Sequence, residues 1–390
     1  MITGSMEILA VLMAAATVVY WLSGKPALRP LFTVLPPVTW MFIIPMLLAS
    51  GGLLSPVSPL YNWMASYLLP VALLLLTLGM NARLFAMAPT AAIMLLGGTV
   101  GIMLGTLLAF VLLKSSLPDS GWQSLSMLSA TWVGGATNML AIEQSMDAEP
   151  ALFEPLLVFS TAYSYVWLGL LIILGALQSR LDGWLRAEGN GLLQDLVDAQ
   201  QSRAAQRPAT VRDLVVMLGG AFSLCILVRG IAALLPAILD PVIISASTLT
   251  ILLVVIIGLL LRRTRARHLE QAGAANLGYL LLLLLVGALG AQADLGLLLE
   301  SPQLLVAGAV IVLVQACVLL FLARILHVPS FFIAAGSMAN VGGAVSAPVA
   351  AAAYAPTLVP LAALMGVMGY LLGMAAPMGV AAVLAAMAGA

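Results

Sequence analysis

Residues 131–142 read TWVGGATNMLAI, and residues 337–348 read SMANVGGAVSAP. Each stretch sets a Gly-Gly pair among amides and hydroxyls inside an otherwise apolar run. A glycine weakens a helix by about 1 kcal/mol relative to alanine, so Gly134-Gly135 and Gly342-Gly343 mark points where a helix uncoils. Uncoiling inside a bilayer frees backbone carbonyls, which suit a cation. It also exposes the N-terminus of the following half-helix, which suits a carboxylate. Thr131, Thr137, Asn138, Ser337, Asn340 and Ser346 surround the doublets with side-chain donors and acceptors. Pro348 lacks an N–H and disturbs the second stretch further. The chemistry expected is solute or ion binding by two interrupted helices that meet near the membrane midplane.

Other reactive groups are sparse. Glu143 follows Asn138 by five residues and is the carboxylate within reach of such a site, as a cation-binding or proton-coupling group. Asp147, Glu149 and Glu154 read as a solvated acidic loop. Arg229 lies about two turns before Pro236, close enough for its long side chain to reach an interface. Trp132, Tyr165 and Tyr370 read as packing anchors or as walls of a pocket. Gly97-Gly98 and Gly219-Gly220 have no amide beside them and read as helix-packing glycines. Cys225 and Cys317 read as packing thiols. His268 and His327 show no metal-ligand spacing, so no cofactor is expected beyond Na+ or H+ coupling, with any Na+ held by the doublet residues. No His-Glu-x-x-His and no Gly-x-Ser-x-Gly is present, so enzymatic chemistry is not expected.

The elements that must hold these groups follow from composition. The 390 residues are 63% hydrophobic and 8% charged, with mean hydropathy +1.15. Soluble domains carry about 25% charged residues, so the solvent for this surface is lipid. The formal net charge is zero, which argues against a nucleic-acid partner. Apolar runs long enough to span fall at 6–23, 31–50, 63–80, 89–113, 122–145, 151–178, 213–235, 241–261, 276–298, 303–323, 329–353 and 357–387. The fold class expected is all-α and polytopic, with about twelve transmembrane segments. MITGS ahead of Met6 reads as an added leader, with Met6 as the native start. Residues 179–212 form the long polar connection. Its arginines, and those of 262–274, place both connections and both termini in the cytoplasm; Lys25, Arg29 and Arg83 oppose that assignment.

VGGA occurs at 133–136 and at 341–344. Leu78-Gly79-Met80-Asn81-Ala82-Arg83-Leu84 parallels Leu289-Gly290-Ala291-Gln292-Ala293-Asp294-Leu295. Order and spacing agree, which predicts two repeats, 6–178 and 213–390, each with one discontinuous helix. Paired repeats with matching interruptions point to a secondary transporter. A channel is the rival reading, although no filter motif or charge-lined span is present.

The motifs TWVGGATNMLAI, GSMANVGGAVSAP (336–348) and GVMGYLLG (366–373) give the chain a further reading. It resembles the bacterial domain-of-unknown-function 819 membrane proteins over nearly its whole length. That family looks distantly related to the bile-acid/sodium symporter and cation–proton antiporter superfamily. The resemblance implies an elevator mechanism, a core bundle sliding against a dimerising scaffold, and inverted repeats. VGGATN resembles the symporter branch's Pro-Gly-Gly-x-x-Ser-Asn, with Val133 in place of proline and Thr137-Asn138 for Ser-Asn. Twelve crossings place six between the two doublets, which predicts parallel copies instead. The expectation is an inner-membrane, homodimeric carrier of a small organic anion, amino acid or short peptide. Segments 63–178 and 276–387 would form the core, and 6–50 and 213–261 the scaffold. A cation–proton antiporter is the alternative.

Overall fold

The computed structural model describes residues 1–80, 86–187, 207–234, 246–372 and 375–389. Arg83 and Asn81 of the first repeat element, residues 188–206 of the polar connection with Arg203, and Pro236 lie outside the described residues. The described architecture is helical, and its β pairing is an isolated bridge between Ile2 and Leu54. Ile2 thus exchanges backbone hydrogen bonds with the loop after residue 50: its N–H donates to the Leu53 carbonyl at 2.8 Å and its carbonyl accepts from Ser55 at 2.9 Å.

The main helices are α1 (Ser5–Ser23), α2 (Pro37–Ser50), α3 (Pro59–Gly79), α4 (Ala88–Leu113), α5 (Gly121–Ser145), α6 (Phe153–Gly175) and α7 (Val211–Leu234). They continue as α8 (Ala246–Leu261), α9 (Ala274–Ala291), α10 (Pro302–Leu326), α11 (Phe331–Val341), α12 (Gly343–Tyr354), α13 (Val359–Leu372) and α14 (Ala375–Ala388). Local sequence explains several starts. Pro37, Pro59 and Pro302 open α2, α3 and α10, where a missing N–H is harmless. The Ser58 hydroxyl caps α3 by accepting from Leu60 N–H at 3.3 Å. Thr210 and Asp213 form a reciprocal capping box at α7, and Arg207 pairs with Asp213 at 2.7 Å.

Seven of these helices are long and apolar enough to cross a membrane, and two bent pairs raise the number to nine. The seven fall on seven of the twelve segments expected from sequence. The bent pairs, Pro26–Val34 with Pro37–Ser50 (80°) and Ala246–Leu261 with Arg265–Gln271 (92°), account for 31–50 and 241–261. Of the other three segments, 122–145 is kinked at Gly135 and 329–353 is split into α11 and α12, and the described residues of 357–387 form α13 and α14. Hydropathy summed along a chain does not register a break, so counting apolar runs overstates the number of straight spans.

Helix α4 runs along α10, and α9 lies against α2 and α3. Helix α12 lies against α13, and α5 against α14. Small residues set the closest approach of α4 to α10. A Cβ on Gly101 would stand 2.6 Å from the Gln315 Cα, and one on Gly105 2.7 Å from the Ile311 Cα. Gly97 and Gly98 serve the same packing, against Leu322 and Asn340. Gly219 and Gly220 do not pack as expected: they sit in a π turn, Val216–Gly220, with open space where a Cβ would be. A second π turn, Met64–Leu68, interrupts α3. There the Arg229 guanidinium donates to the Ser66 carbonyl at 3.2 Å and stacks 4.7 Å from the Tyr67 ring centre. Arg229 is therefore held by a backbone group freed from the helix ladder. Cys225 is buried and Cys317 exposed, both as free thiols.

Candidate functional site

Both doublets break their helices, and in each the second glycine takes a positive φ. In α5 the backbone leaves helical geometry at Gly135, with φ 77° and ψ −172°. Between α11 and α12, Gly342 has φ −120° and ψ −3°, and Gly343 has φ 64°. The second glycine of each pair thus takes a positive φ, which side-chain-bearing residues rarely adopt. The first glycine of each pair is covered by the side chain four residues on. The Asn138 amide lies against Gly134, and Ser346 lies against Gly342.

The two breaks share one cavity of about 310 Å³. Gly134, Gly135 and Ala136 line it from α5, and Gly342, Gly343 and Ser346 from the second break. Helix α6 contributes a hydroxyl face of Ser160, Thr161, Ser164 and Tyr165, and α13 contributes Tyr370. Asn62 and Ala65 enter from α3, next to its π turn. None of the lining residues carries a formal charge. The first turns of both second half-helices line the space, and a helix N-terminus carries unpaired N–H groups and a partial positive charge.

Hydrogen bonds separate residues already engaged by protein from those with capacity to spare. The Ser164 hydroxyl shares its proton between the Ser160 carbonyl at 2.7 Å and the Val341 carbonyl at 3.1 Å. Val341 precedes the second break, so α6 satisfies a carbonyl there. The Ser160 hydroxyl is 1% exposed and has no partner. A buried hydroxyl left without a hydrogen bond is unfavourable by about 1–3 kcal/mol.

The residues expected from sequence are distributed unevenly. Thr131, Gly134, Gly135, Asn340, Gly342, Gly343 and Ser346 line the cavity. Thr137 is exposed and does not line it; Asn138 and Glu143 are buried in α5 away from the lining. Asn138 Nδ2 has no hydrogen-bond partner. Ser337 is committed elsewhere: it accepts from Trp167 Nε1 and donates to Gln315 Oε1, both at 2.8 Å. The Asn340 side chain is likewise saturated. Its Oδ1 accepts from the Thr99 hydroxyl at 2.8 Å, and its Nδ2 donates to the carbonyls of Leu95 at 3.1 Å and Gly336 at 3.0 Å. Asn340 ties α11 to α4, and its contribution to the cavity is the surface near its backbone. Of the three aromatics, Tyr165 and Tyr370 line the cavity, whereas Trp132 is buried against Tyr163 with ring centres 5.2 Å apart. Sequence reading missed Ser160, Thr161, Ser164 and Asn62. The stretch FSTAYSY (159–165) carries a signal for the first three, because positions 160, 161, 164 and 165 share one helical face. No cluster of His, Cys, Asp or Glu suited to a metal exists among the described residues.

Comparison with known proteins agrees with the membrane assignment. The family model described as "Protein of unknown function (DUF819)" matches residues 10–387. An uncharacterized membrane protein of Bacillus subtilis (strain 168), YjcL, is 26% identical over 345 residues, covering 84% of each chain. With apolar helices throughout and a match over nearly its full length, the chain is a membrane protein that belongs to the DUF819 family.

Proposed function

We propose that the protein is a secondary carrier that binds a small carboxylate-bearing solute between the two helix breaks. It moves that solute across the bacterial inner membrane by alternating access. The observation behind this reading is the convergence of two positive-φ glycines, Gly135 and Gly343, on one uncharged, hydroxyl-lined cavity. Interrupted helices inside a membrane are tolerated where they line a cavity, and their N-termini favour anionic groups. The volume corresponds to about ten liquid waters. It therefore suits a solute of about ten non-hydrogen atoms, such as an organic anion, an amino acid or a short peptide.

Matching elements of the two halves pack together, α3 with α9 and α4 with α10, which supports a duplicated core. In an elevator this core slides against a scaffold that includes α1, α2, α7 and α8, and a second copy docks on that scaffold. Carbonyls and hydroxyls suit Na+ as the coupling ion. Cation–proton antiport needs a titratable group at the site, and the lining residues include no carboxylate, so solute symport is favoured.

The test is uptake of radiolabelled glutamate, succinate and alanyl-alanine into proteoliposomes, with and without a Na+ gradient. Saturable uptake of one of these supports the reading. Ohmic conductance, or no uptake together with no thermal stabilisation by any of them, refutes it.

A further inference from the structure

The two breaks meet at the ring of Tyr370. A Cβ on Gly135 would stand 2.6 Å from Tyr370 Cε1. A Cβ on Gly343 would stand 2.5 Å from the Tyr370 hydroxyl and 2.9 Å from Cε2. The glycines therefore grip opposite edges of one phenol, and both hold positive φ where they do so. Two further glycines bring α13 close enough for this contact. A Cβ on Gly366 would lie 2.6 Å from the Ala344 Cα, and one on Gly369 2.5 Å from the Ala339 carbonyl oxygen. The ring borders the same cavity as Ser160, Thr161 and Ser164 of α6. The backbone at Gly135 and at Gly343 therefore flanks the ring on both edges.

We infer that Tyr370 is the specificity-determining residue of this cavity, and that its clamped ring sets the largest solute the two breaks admit. The inference rests on the carrier reading above. A pocket wall held by backbone on two sides cannot yield to a larger ligand, and one methylene too many in such a pocket is discriminated by about tenfold or more. Replacing the ring by a smaller side chain removes the wall while leaving both breaks in place. Replacing it by phenylalanine keeps the wall and deletes the hydroxyl.

The test measures which molecules the cavity admits, whatever its natural solute. Thr161→Cys, at an exposed position that lines the cavity, is placed in a Cys225→Ala, Cys317→Ala chain, purified and reconstituted. It is then reacted with 2-aminoethyl methanethiosulfonate and with its biotin-bearing derivative. With Tyr370 or Tyr370→Phe, the small reagent should react at least about tenfold faster than the large one. In Tyr370→Leu and Tyr370→Ala the ratio should fall towards one; the leucine variant guards against a folding defect in the alanine variant. Thermal unfolding of Tyr370→Leu equal to that of the parent separates removal of the wall from loosening of the core. An unchanged ratio in folded Tyr370→Leu, with the small reagent still reacting, overturns this inference alone. Failure of both reagents in every variant removes the cavity, and the carrier reading with it.

Discussion

Asn340→Ala should destabilise the protein by about 2 kcal/mol. The side chain is 3% exposed and makes three hydrogen bonds, to Thr99, Leu95 and Gly336. Side-chain hydrogen bonds within membranes average about 0.6 kcal/mol each, which gives about 2 kcal/mol for three. The loss goes no higher because nothing is left orphaned: the Thr99 hydroxyl keeps the Leu95 carbonyl at 3.2 Å. A second substitution makes the reasoning stricter. A Cβ on Gly98 would stand 2.5 Å from Asn340 Nδ2, so Gly98→Ala alone forces the amide out of place. Gly98→Ala with Asn340→Ala removes that clash, and the remaining neighbours, the Gly336 carbonyl at 3.2 Å and Gln315 Nε2 at 3.3 Å, are tight but tolerable. The double variant should therefore be about as stable as either single variant, and not about 4 kcal/mol below the parent. Thermal unfolding of the Cys317→Ala chain followed by a thiol-reactive dye measures this, because Cys317 is exposed whereas the buried Cys225 becomes reactive only on opening. Additive losses would show that the amide does not occupy the space beside Gly98.

Gly135→Ala should destabilise by about 1–3 kcal/mol, because its φ and ψ fall in a region open essentially to glycine, and the positive φ of Gly343 makes Gly343→Ala destabilising as well. Thermal unfolding measures both, and a Gly135→Ala variant as stable as the parent refutes the assignment of strain. Ser160→Ala should raise stability by up to about 1–3 kcal/mol in thermal unfolding, because it removes a buried hydroxyl that has no partner. A clear loss of stability would mean that the hydroxyl is already engaged by protein. Arg229→Met should destabilise by about 1–3 kcal/mol, because the Ser66 carbonyl of the π turn loses its donor and Tyr67 its stacked cation. Unfolding indistinguishable from the parent would mean that the guanidinium prefers the interface.

The positions of the breaks were legible because these two glycine doublets have amides and hydroxyls beside them, whereas Gly97-Gly98, which lacks them, stays inside a continuous helix. The roles of the amides beside them were not. Asn138 and Asn340 look alike in sequence, each within a few residues of a doublet. Asn340, however, precedes its glycines and is bound by Thr99 and Leu95, 241 and 245 residues away, whereas Asn138 follows its glycines and keeps an unpartnered amide. Pairings at such separations leave no trace in local spacing. The hydroxyl face of α6 is visible as periodicity, but only the fold shows that it faces a cavity shared with the second half of the chain. The structure also explains why each break needs two glycines. The first must lack a side chain so that the residue four positions on can fold back over it, as Asn138 does on Gly134 and Ser346 on Gly342. The second must lack one to reach positive φ and to meet Tyr370. A single glycine meets one of these demands and not the other, so replacing either member of a doublet should disturb the cavity by a different route: strain and ring displacement at the second position, loss of the folded-back cover at the first.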